Sequence, residues 1–524
     1  MVADELKKTI AGVEMKLEHP EREEWGDYAV FMKPGKEAEE TIVKLEKLDF
    51  VESVTRVGGF INIRLKQEVL VELMVKAAWL PAVGKGKTVV VEYSSPNIAK
   101  AFGIGHLRST IIGQALYNIY KKLGYKTVGD NHVGDWGTQF GKLLYMIDRE
   151  KVTTLSIDRL EKLYVEFHKH PEWEEEGQRW FKKLEEGDER ARKVWQKCVD
   201  VSMAEFERIY KLLGVEIDNA YGESFYKGEV KEVMAEAREK GIVDESEGAL
   251  VVEVEGQKTP LMLLKSDGVT TYATRDLATV RFRMRTWNPE VIIYEVGAEQ
   301  ALHFIQVFSV AKKLQYVSDR TVLIHTKHGL YLAPDGKKFS TREGKTVKLE
   351  EVLGEAVERA KKLGSEDEAT AKAVGIGAVK YFDLAHGVAS DIVFDWEKMM
   401  ALEGNSGPYV QYTYARTQSV LKKAESLEFG VDSCELNLEE LRVVRWIYRF
   451  AEVVEEAAGR YSPNLVCNFI YELAQRYNSF YNKHSILEAE SEEKRNFRLA
   501  MTAAVGEVLK EGLELLGIAA LERM

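Results

Sequence analysis

Residues Asn97 to Thr110, NIAKAFGIGHLRST, set two glycines and a histidine between an apolar strand and a long amphipathic helix. A glycine loop at such a junction turns backbone N–H groups outward at the positive end of the helix, where a phosphate is well held. Gly103-Ile-Gly105 is not the dinucleotide fingerprint GxGxxG, because no third glycine follows, and a lone GxG is a weak signal. The sharper feature is His106, directly after Gly105. It could donate to an α- or β-phosphate oxygen, or simply pack at the helix start. More than two hundred residues later, DGKKFSTREGK combines a turn, lysines, hydroxyls and glycine. Lys337 or Lys338 there could neutralise charge developing on a leaving pyrophosphate; alone, the stretch reads as a surface loop.

These loops need elements to position them. From Thr88, TVVVEYSS reads as a strand of the kind buried in a parallel sheet. In TIIGQALYNIYKKLG, Ile111, Ile112, Ala115, Leu116, Ile119, Tyr120 and Leu123 fall on one helical face, and Gly124 marks its end. KTVGDNHVGDWG supplies the next strand, so residues 88–137 form a βαβ unit whose loop lies at the carboxyl end of the first strand, where open α/β sheets place ligands. Residues 150–245 are nearly all charged helix, read as an insertion. GALVVEVEG, VIIYEVG and TVLIHTKHGL are strands expected to return the chain to the same sheet. After Ala401 the pattern is helical at bundle-like spacing, and the first 85 residues read as a small α/β appendage.

The expected fold is α/β and multidomain. It comprises a small N-terminal α/β domain (1–86), a Rossmann-like parallel-sheet domain in two halves (87–149 and 249–400, the second with the lysine loop 336–345), a helical insertion (150–248) and a C-terminal all-α bundle (401–524). At 524 residues the chain is too long for one core, and 45% hydrophobic with 30% charged residues excludes a disordered or fibrous protein. Three cysteines, Cys198, Cys434 and Cys467, allow neither a disulfide framework nor a CxxC zinc site, so a reducing cytoplasm is expected. No run of about 18 apolar residues occurs, so neither a membrane span nor an anchor is expected. The net charge of −12 argues weakly against a nucleic-acid coat protein, although basic clusters remain at 120–126, 188–197 and 334–348. Each cluster also reads as a solvated helix face or loop.

Joined with GIGH on a strand–loop–helix, DGKKFSTREGK resembles the paired signatures of class I aminoacyl-tRNA synthetases, H-I-G-H and K-M-S-K. The likeness runs on through EYSSPNIAK, GDWGTQFG, TTYATRD, EVGAEQALHF, GNSGPYVQYTYAR, YELAQRYNSFY and GLELLGIAALERM, which in order resemble arginyl-tRNA synthetases from end to end. HPEREEWGDYAVF and GGFINIRL are similar to that family's extra N-terminal domain.

The resemblance implies ATP-dependent formation of arginyl-adenylate and transfer of arginine to the terminal ribose of tRNA(Arg), with Mg²⁺ travelling with ATP. It implies a catalytic set of His106, Lys100, Lys338 and Gly105, and an ATP site of Gly103, Gly105, His106, Lys337, Lys338 and Ser340. It places arginine on Asn97, Tyr272, Asp276 and Gln300, with Glu92 beside the pocket. The residue chemistry agrees, since a guanidinium is a planar fork of donors that needs carboxylate acceptors, and Glu92 and Asp276 would both face the ligand. If TTYATRDLA is helical, Tyr272 and Asp276 share a face; without the resemblance Asp276 reads equally as a partner of Arg275 or Arg281. No dedicated protein metal site and no covalent protein nucleophile are expected, and a monomer is. For tRNA, the C-terminal bundle would take the anticodon through Tyr477, Tyr481 and Met524, though tyrosines at helical spacing also read as core. The N-terminal domain would touch the tRNA's outer corner.

Two positions depart from the family signature. Thr341 stands where the lysine loop would end in Lys, and Lys100, just upstream of the histidine signature, is the residue thought to compensate. Gly103 stands where the signature begins with histidine. Substitution by a nearby group such as His132 or His328, an intrinsically slow enzyme, and a deliberate variant are all open readings. A catalytically impaired relative that only binds tRNA is the non-enzyme alternative, and Gly103 is its sole support.

Overall fold

The middle of strand Thr88–Glu92, Val89–Val91, is apolar because both of its faces are buried. Val89 and Val91 join one core, which runs into the N-terminal and C-terminal helices, while Val90 joins a second core with Val128, Ile292 and Tyr294. In the computed structural model, which describes residues 2–10, 16–333, 335–337, 347–364, 367–424 and 435–524, this strand is interior to a four-stranded parallel sheet. The sheet order is Val322–His325, Val291–Tyr294, Thr88–Glu92, Lys126–Asp130. The chain builds outward from Thr88–Glu92 in one direction and later returns on its other side. The order therefore reverses between Thr88–Glu92 and Val291–Tyr294, and such a switch point opens a crevice at the carboxyl ends of the strands.

The first helix of the unit, Ile104–Lys122, is buried along most of its length. Its far end meets the C-terminal helix Glu492–Leu515, where Asn118 donates to the carbonyls of Glu514 and Leu515, both at 3.2 Å. Nearby, the buried Lys380 donates to the carbonyls of Leu213 (2.7 Å) and Gly517, tying the insertion to the C-terminal segment. Burial lowers the Lys380 ammonium to about 7. The basic cluster at 120–126 is spent on structure, with Lys121 on Glu216 and Lys122 on Glu511.

The N-terminal residues form an antiparallel sheet ordered Leu17–Glu18, Tyr28–Phe31, Phe60–Leu65, Val51–Val57, with helices Val2–Thr9, Lys36–Leu45 and Gln67–Val75. Helices occupy most of 138–239, and helices again make up Gly407–Lys423 and most of Leu438–Leu515. GALVVEVEG does not return to the parallel sheet. Ala249–Val252 is the middle strand of a separate antiparallel sheet with Asp244–Ser246 and Leu261–Leu264. Its connections are short, and short connections join antiparallel neighbours, whereas a parallel return needs a long crossover. Among the described residues no helix is long and apolar enough to cross a membrane.

Candidate active site

The loop that leaves Thr88–Glu92 is held from several sides. Ser94, Ser95 and Ala99 take left-handed backbone conformations (φ 72°, 44° and 64°), which cost non-glycine residues on the order of 1–3 kcal/mol each. Their contacts hold them there. The Ser94 N–H donates to Ser109 Oγ (3.0 Å), the Ser95 N–H to Asn131 Oδ1 (3.0 Å) and the Ala99 N–H to Ser202 Oγ (2.9 Å). Asn97 is exposed and lies over Gly134, where a Cβ would come within 2.1 Å of Asn97 Oδ1. Glycine at 134 is thus what lets Asn97 keep its place. Lys100 is exposed, its ammonium 5.7 Å from the Tyr164 ring centroid.

At the helix start, the Gly103 N–H donates to His106 Nδ1 (3.2 Å), and the His106 N–H donates to the Gly103 carbonyl (2.9 Å). The first bond fixes the tautomer, because a ring nitrogen that accepts leaves the proton on Nε2. Burial pushes the His106 imidazole down to about 4, and the Lys100 charge adds to this, so at neutral pH the ring is an uncharged Nε2–H donor. Gly105 is exposed, and a Cβ there would meet open space. Gly103 itself has φ −91° and ψ 165°, extended backbone open to any residue.

The two signature stretches meet in the fold. The Ile104 N–H donates to the Val347 carbonyl (3.0 Å) and the Leu349 N–H to the Phe102 carbonyl (2.9 Å), so Gly103 and Lys348 form an antiparallel bridge. The far end of the lysine loop is therefore stitched onto the glycine turn. Lys337 is exposed, 3.5 Å from Asp335, while Lys338, Ser340 and Thr341 lie outside the described residues.

On the opposite face of the sheet from helix Ile104–Lys122, Tyr272 and Asp276 lie on one face of helix Tyr272–Trp287. Tyr272 is exposed, with the Arg275 guanidinium 4.7 Å from its ring centroid. Asp276 pairs with neither arginine considered from the sequence. Arg275 goes to Glu223 (2.8 Å), and Arg281 to Glu229 and Glu236. Asp276 Oδ2 instead takes His303 Nε2, and Oδ1 lies 3.8 Å from His132 Nε2. Burial works to raise the Asp276 carboxyl, but the His303 bond and the nearby cations outweigh it and hold the group below the usual carboxylate range. Gln300 is exposed at the turn leading into helix Ala301–Lys313, which also carries His303.

Glu92 differs from expectation. Its carboxylate is buried on Arg283 (2.6 Å), which also binds Asp130 (2.7 Å), so the guanidinium it holds is the protein's own. Burial raises the Glu92 carboxyl in spite of Arg283, and Asp276 adds to the rise. Glu92 is thus buried on a cation of the protein's own, and Asp276 is the more exposed of the two acids. The sequence offered one signal for this, since Arg283 continues the buried stripe Leu277, Val280 of its helix, where a charge demands a partner. His132 is buried, with Nδ1 unpartnered, beside Asp276, and His328 bonds Glu295 (2.8 Å); neither is bonded to the glycine turn.

In the C-terminal bundle Tyr477 is fully buried, its hydroxyl on Thr502 (3.3 Å). A ring with no open face cannot stack on a base, so this residue is core. Tyr481 is 37% exposed, Tyr412 46% and Met524 38%. The Arg416 guanidinium sits between the two tyrosines, 5.0 Å from the Tyr412 ring centroid and 4.8 Å from that of Tyr481.

Comparison with known proteins matches residues 68–396 to the profile of the class I tRNA synthetase (R) catalytic domain and residues 410–524 to that of the DALR anticodon binding domain. The arginine–tRNA ligase of Clostridium beijerinckii is 40% identical over 561 residues, covering 100% of this chain and 99% of that one. Arginine–tRNA ligase 2 of Bacillus anthracis is 43% identical, covering 97% and 95%. Among solved structures, Thermus thermophilus arginyl-tRNA synthetase superposes with a TM-score of 0.87 at 25% identity, covering 100% of both chains.

Proposed function

This chain belongs to the class I arginine–tRNA ligases, and from that premise we propose how its residues divide the work. The reaction joins L-arginine to tRNA(Arg) and converts ATP to AMP and diphosphate. An arginine carboxylate oxygen attacks the α-phosphorus, the bond to the β-phosphate bridge breaks, and diphosphate leaves. The terminal ribose hydroxyl of tRNA then attacks the arginyl carbonyl, and AMP leaves. Alignment and charge stabilisation carry the first step, with no covalent protein intermediate.

In our reading the turn Gly103–Gly105 and the helix start receive the phosphates. His106 donates from Nε2, and Lys100, Lys337, Lys338 and Ser340 supply further positive charge and donors. Mg²⁺ enters with the triphosphate, which asks for no protein cage. Asp276 takes the substrate guanidinium, with Asn97, Tyr272 and Gln300 around it. The observation that carries this assignment is that the glycine turn follows Thr88–Glu92 directly while Asp276 gathers His132 and His303 from the loops after the neighbouring strands, so both lie at the carboxyl edge of one sheet. A chain that only binds tRNA is not favoured, because relatives about 40% identical over the whole chain are arginine–tRNA ligases and the catalytic-domain profile matches.

Arginine-dependent exchange of pyrophosphate into ATP, run with and without tRNA(Arg), tests the assignment. Lysine cannot fill a forked acceptor site, and each buried acceptor left unpaired costs on the order of 1–3 kcal/mol. Lysine is therefore expected to support no detectable exchange or charging. Lysine charging within about tenfold of arginine would refute the pocket, given those penalties.

For tRNA, we assign residues 1–86 to the outer corner and 401–524 to the anticodon. Arg416 with Tyr412 and Tyr481 is the stacking platform, with Met524 as a further contact. Tyr481→Ala is expected to raise the KM for tRNA(Arg) by the worth of one stacked base, about 1–3 kcal/mol, and to leave the KM for arginine alone. Tyr477→Phe should leave the KM for tRNA unchanged; charging assays at varied tRNA concentration check both. Binding should weaken as salt rises, through counterion release. The protein acts as a monomer in the cytoplasm in this reading, and the buried, unpaired Cys198 and Cys467 suit a reducing compartment.

A further inference from the structure

Asp276 is not an empty acceptor. In the free chain one of its oxygens is already taken by the Nε2 of His303, from the helix that follows the next strand. We propose that His303 is the stand-in counter-ion of Asp276, and that arginine binds by exchange: the guanidinium takes the carboxylate, and the imidazolium gives its proton to solvent. This rests on the assignment of Asp276 to the substrate guanidinium.

The exchange follows from which cation can lose its charge. A guanidinium cannot be deprotonated in a protein, whereas an imidazolium can. Two cations crowded on one half-buried carboxylate repel each other, so the proton that leaves is the histidine's. The charges balance. Before binding, the site holds Asp276 negative and His303 positive; afterwards it holds Asp276 negative, the guanidinium positive and His303 neutral, with one proton in the buffer.

The surrounding groups favour this arrangement in the free chain. Burial works against the His303 charge, but the bond to Asp276 and the field of both Asp276 and Glu92 raise it above the ordinary imidazole range. From the strand side, Glu92 is held by Arg283, which also holds Asp130. From the loop after Lys126–Asp130, His132 approaches the other Asp276 oxygen at 3.8 Å, and burial lowers its own titration, so it brings no charge at neutral pH. From the substrate side of the same helix, Arg275 is committed to Glu223. Glu223 is the competing source of a proton. Burial lifts it to about 7 despite Arg275, and a cation arriving nearby would also draw off its proton.

The sign of the pH dependence is fixed by this scheme. Below the His303 titration in the complex, both free and bound states carry the proton and affinity is flat. Between that point and the raised titration of the free chain, arginine binding tightens about tenfold per pH unit. Above the raised titration it is flat again.

Calorimetric titration of L-arginine into the full chain at pH 7, in two buffers of different ionisation enthalpy, reads the proton directly. The wild type is expected to release a net fraction of a proton on binding arginine, and H303Q, which keeps a donor at the same reach but cannot titrate, to lose that release. The arginine KM in tRNA charging should lose its pH slope in H303Q, while E223Q should keep both the slope and the release. Thermal melts of each variant verify folding. No proton release by the wild type, release that persists in H303Q, or release that disappears in E223Q would overturn the exchange. D276N separates this from the site assignment: unchanged arginine affinity there removes Asp276 from the pocket altogether. Lost affinity in D276N beside a proton-silent wild type removes only the role of His303.

Discussion

Asp276→Asn is expected to lower kcat/KM for arginine in tRNA-dependent pyrophosphate exchange by roughly 10²- to 10⁴-fold. Removing one partner of a buried, hydrogen-bonded charge pair costs about 3–5 kcal/mol, and each 1.4 kcal/mol is a factor of ten. The guanidinium lies at the far end of the substrate from the reacting carboxylate, so its contact is made equally in ground and transition states. The loss should therefore fall mostly on KM rather than on kcat. Two structural facts make the effect large. Glu92, the other acid expected near the guanidinium, is bound to Arg283 and cannot replace Asp276, and Arg275 and Arg281 have carboxylates of their own. A change below about tenfold, when at least 3 kcal/mol is expected, would mean that another group receives the guanidinium.

Gly103→His is expected to raise the rate of adenylate formation by about 10²- to 10³-fold, the typical worth of one donor aimed at transition-state charge, roughly 3–4 kcal/mol. The backbone permits the change, since Gly103 is extended rather than left-handed. Its N–H and carbonyl, which pair with His106, are main-chain groups that any residue retains. Single-turnover adenylation with saturating arginine, ATP and tRNA(Arg) measures the effect. An unchanged or lower rate would mean that this turn is built around glycine and gains its phosphate donors elsewhere.

Much of the scaffold was legible because it is written in local patterns. The continuous apolar run at Val89–Val91, the helix carrying Ile111 and Leu116, and the glycine turn between them needed only neighbouring residues to be read. The helical C-terminal stretch was legible for the same reason. What stayed hidden depends on partners distant in the chain. Glu92 looks like a free acid until Arg283 arrives from a helix near residue 280, and Asp276 looks like a neighbour of Arg275 until Glu223 takes that arginine. The helical period places Tyr477 and Tyr481 close together but does not say which one the bundle covers. Ala249–Val252 has the composition of a sheet strand, and only its short connections decide which sheet. His303 was not singled out, since what distinguishes it is a contact with Asp276 on a different helix.

The stitch between residues 347–349 and the glycine turn has an entropic consequence. On either side of the lysine stretch the described residues are fastened, Tyr331–Leu332 by pairing with Ile392–Val393 and residues 347–349 to the start of helix Ile104–Lys122. Two fixed anchors bound the volume open to any segment that joins them, by contrast with the sphere open to an arm tethered at one end. Tethering of this kind raises the local concentration of positive charge where a polyanion would dock, and most of the ordering cost is met during folding rather than at each turnover.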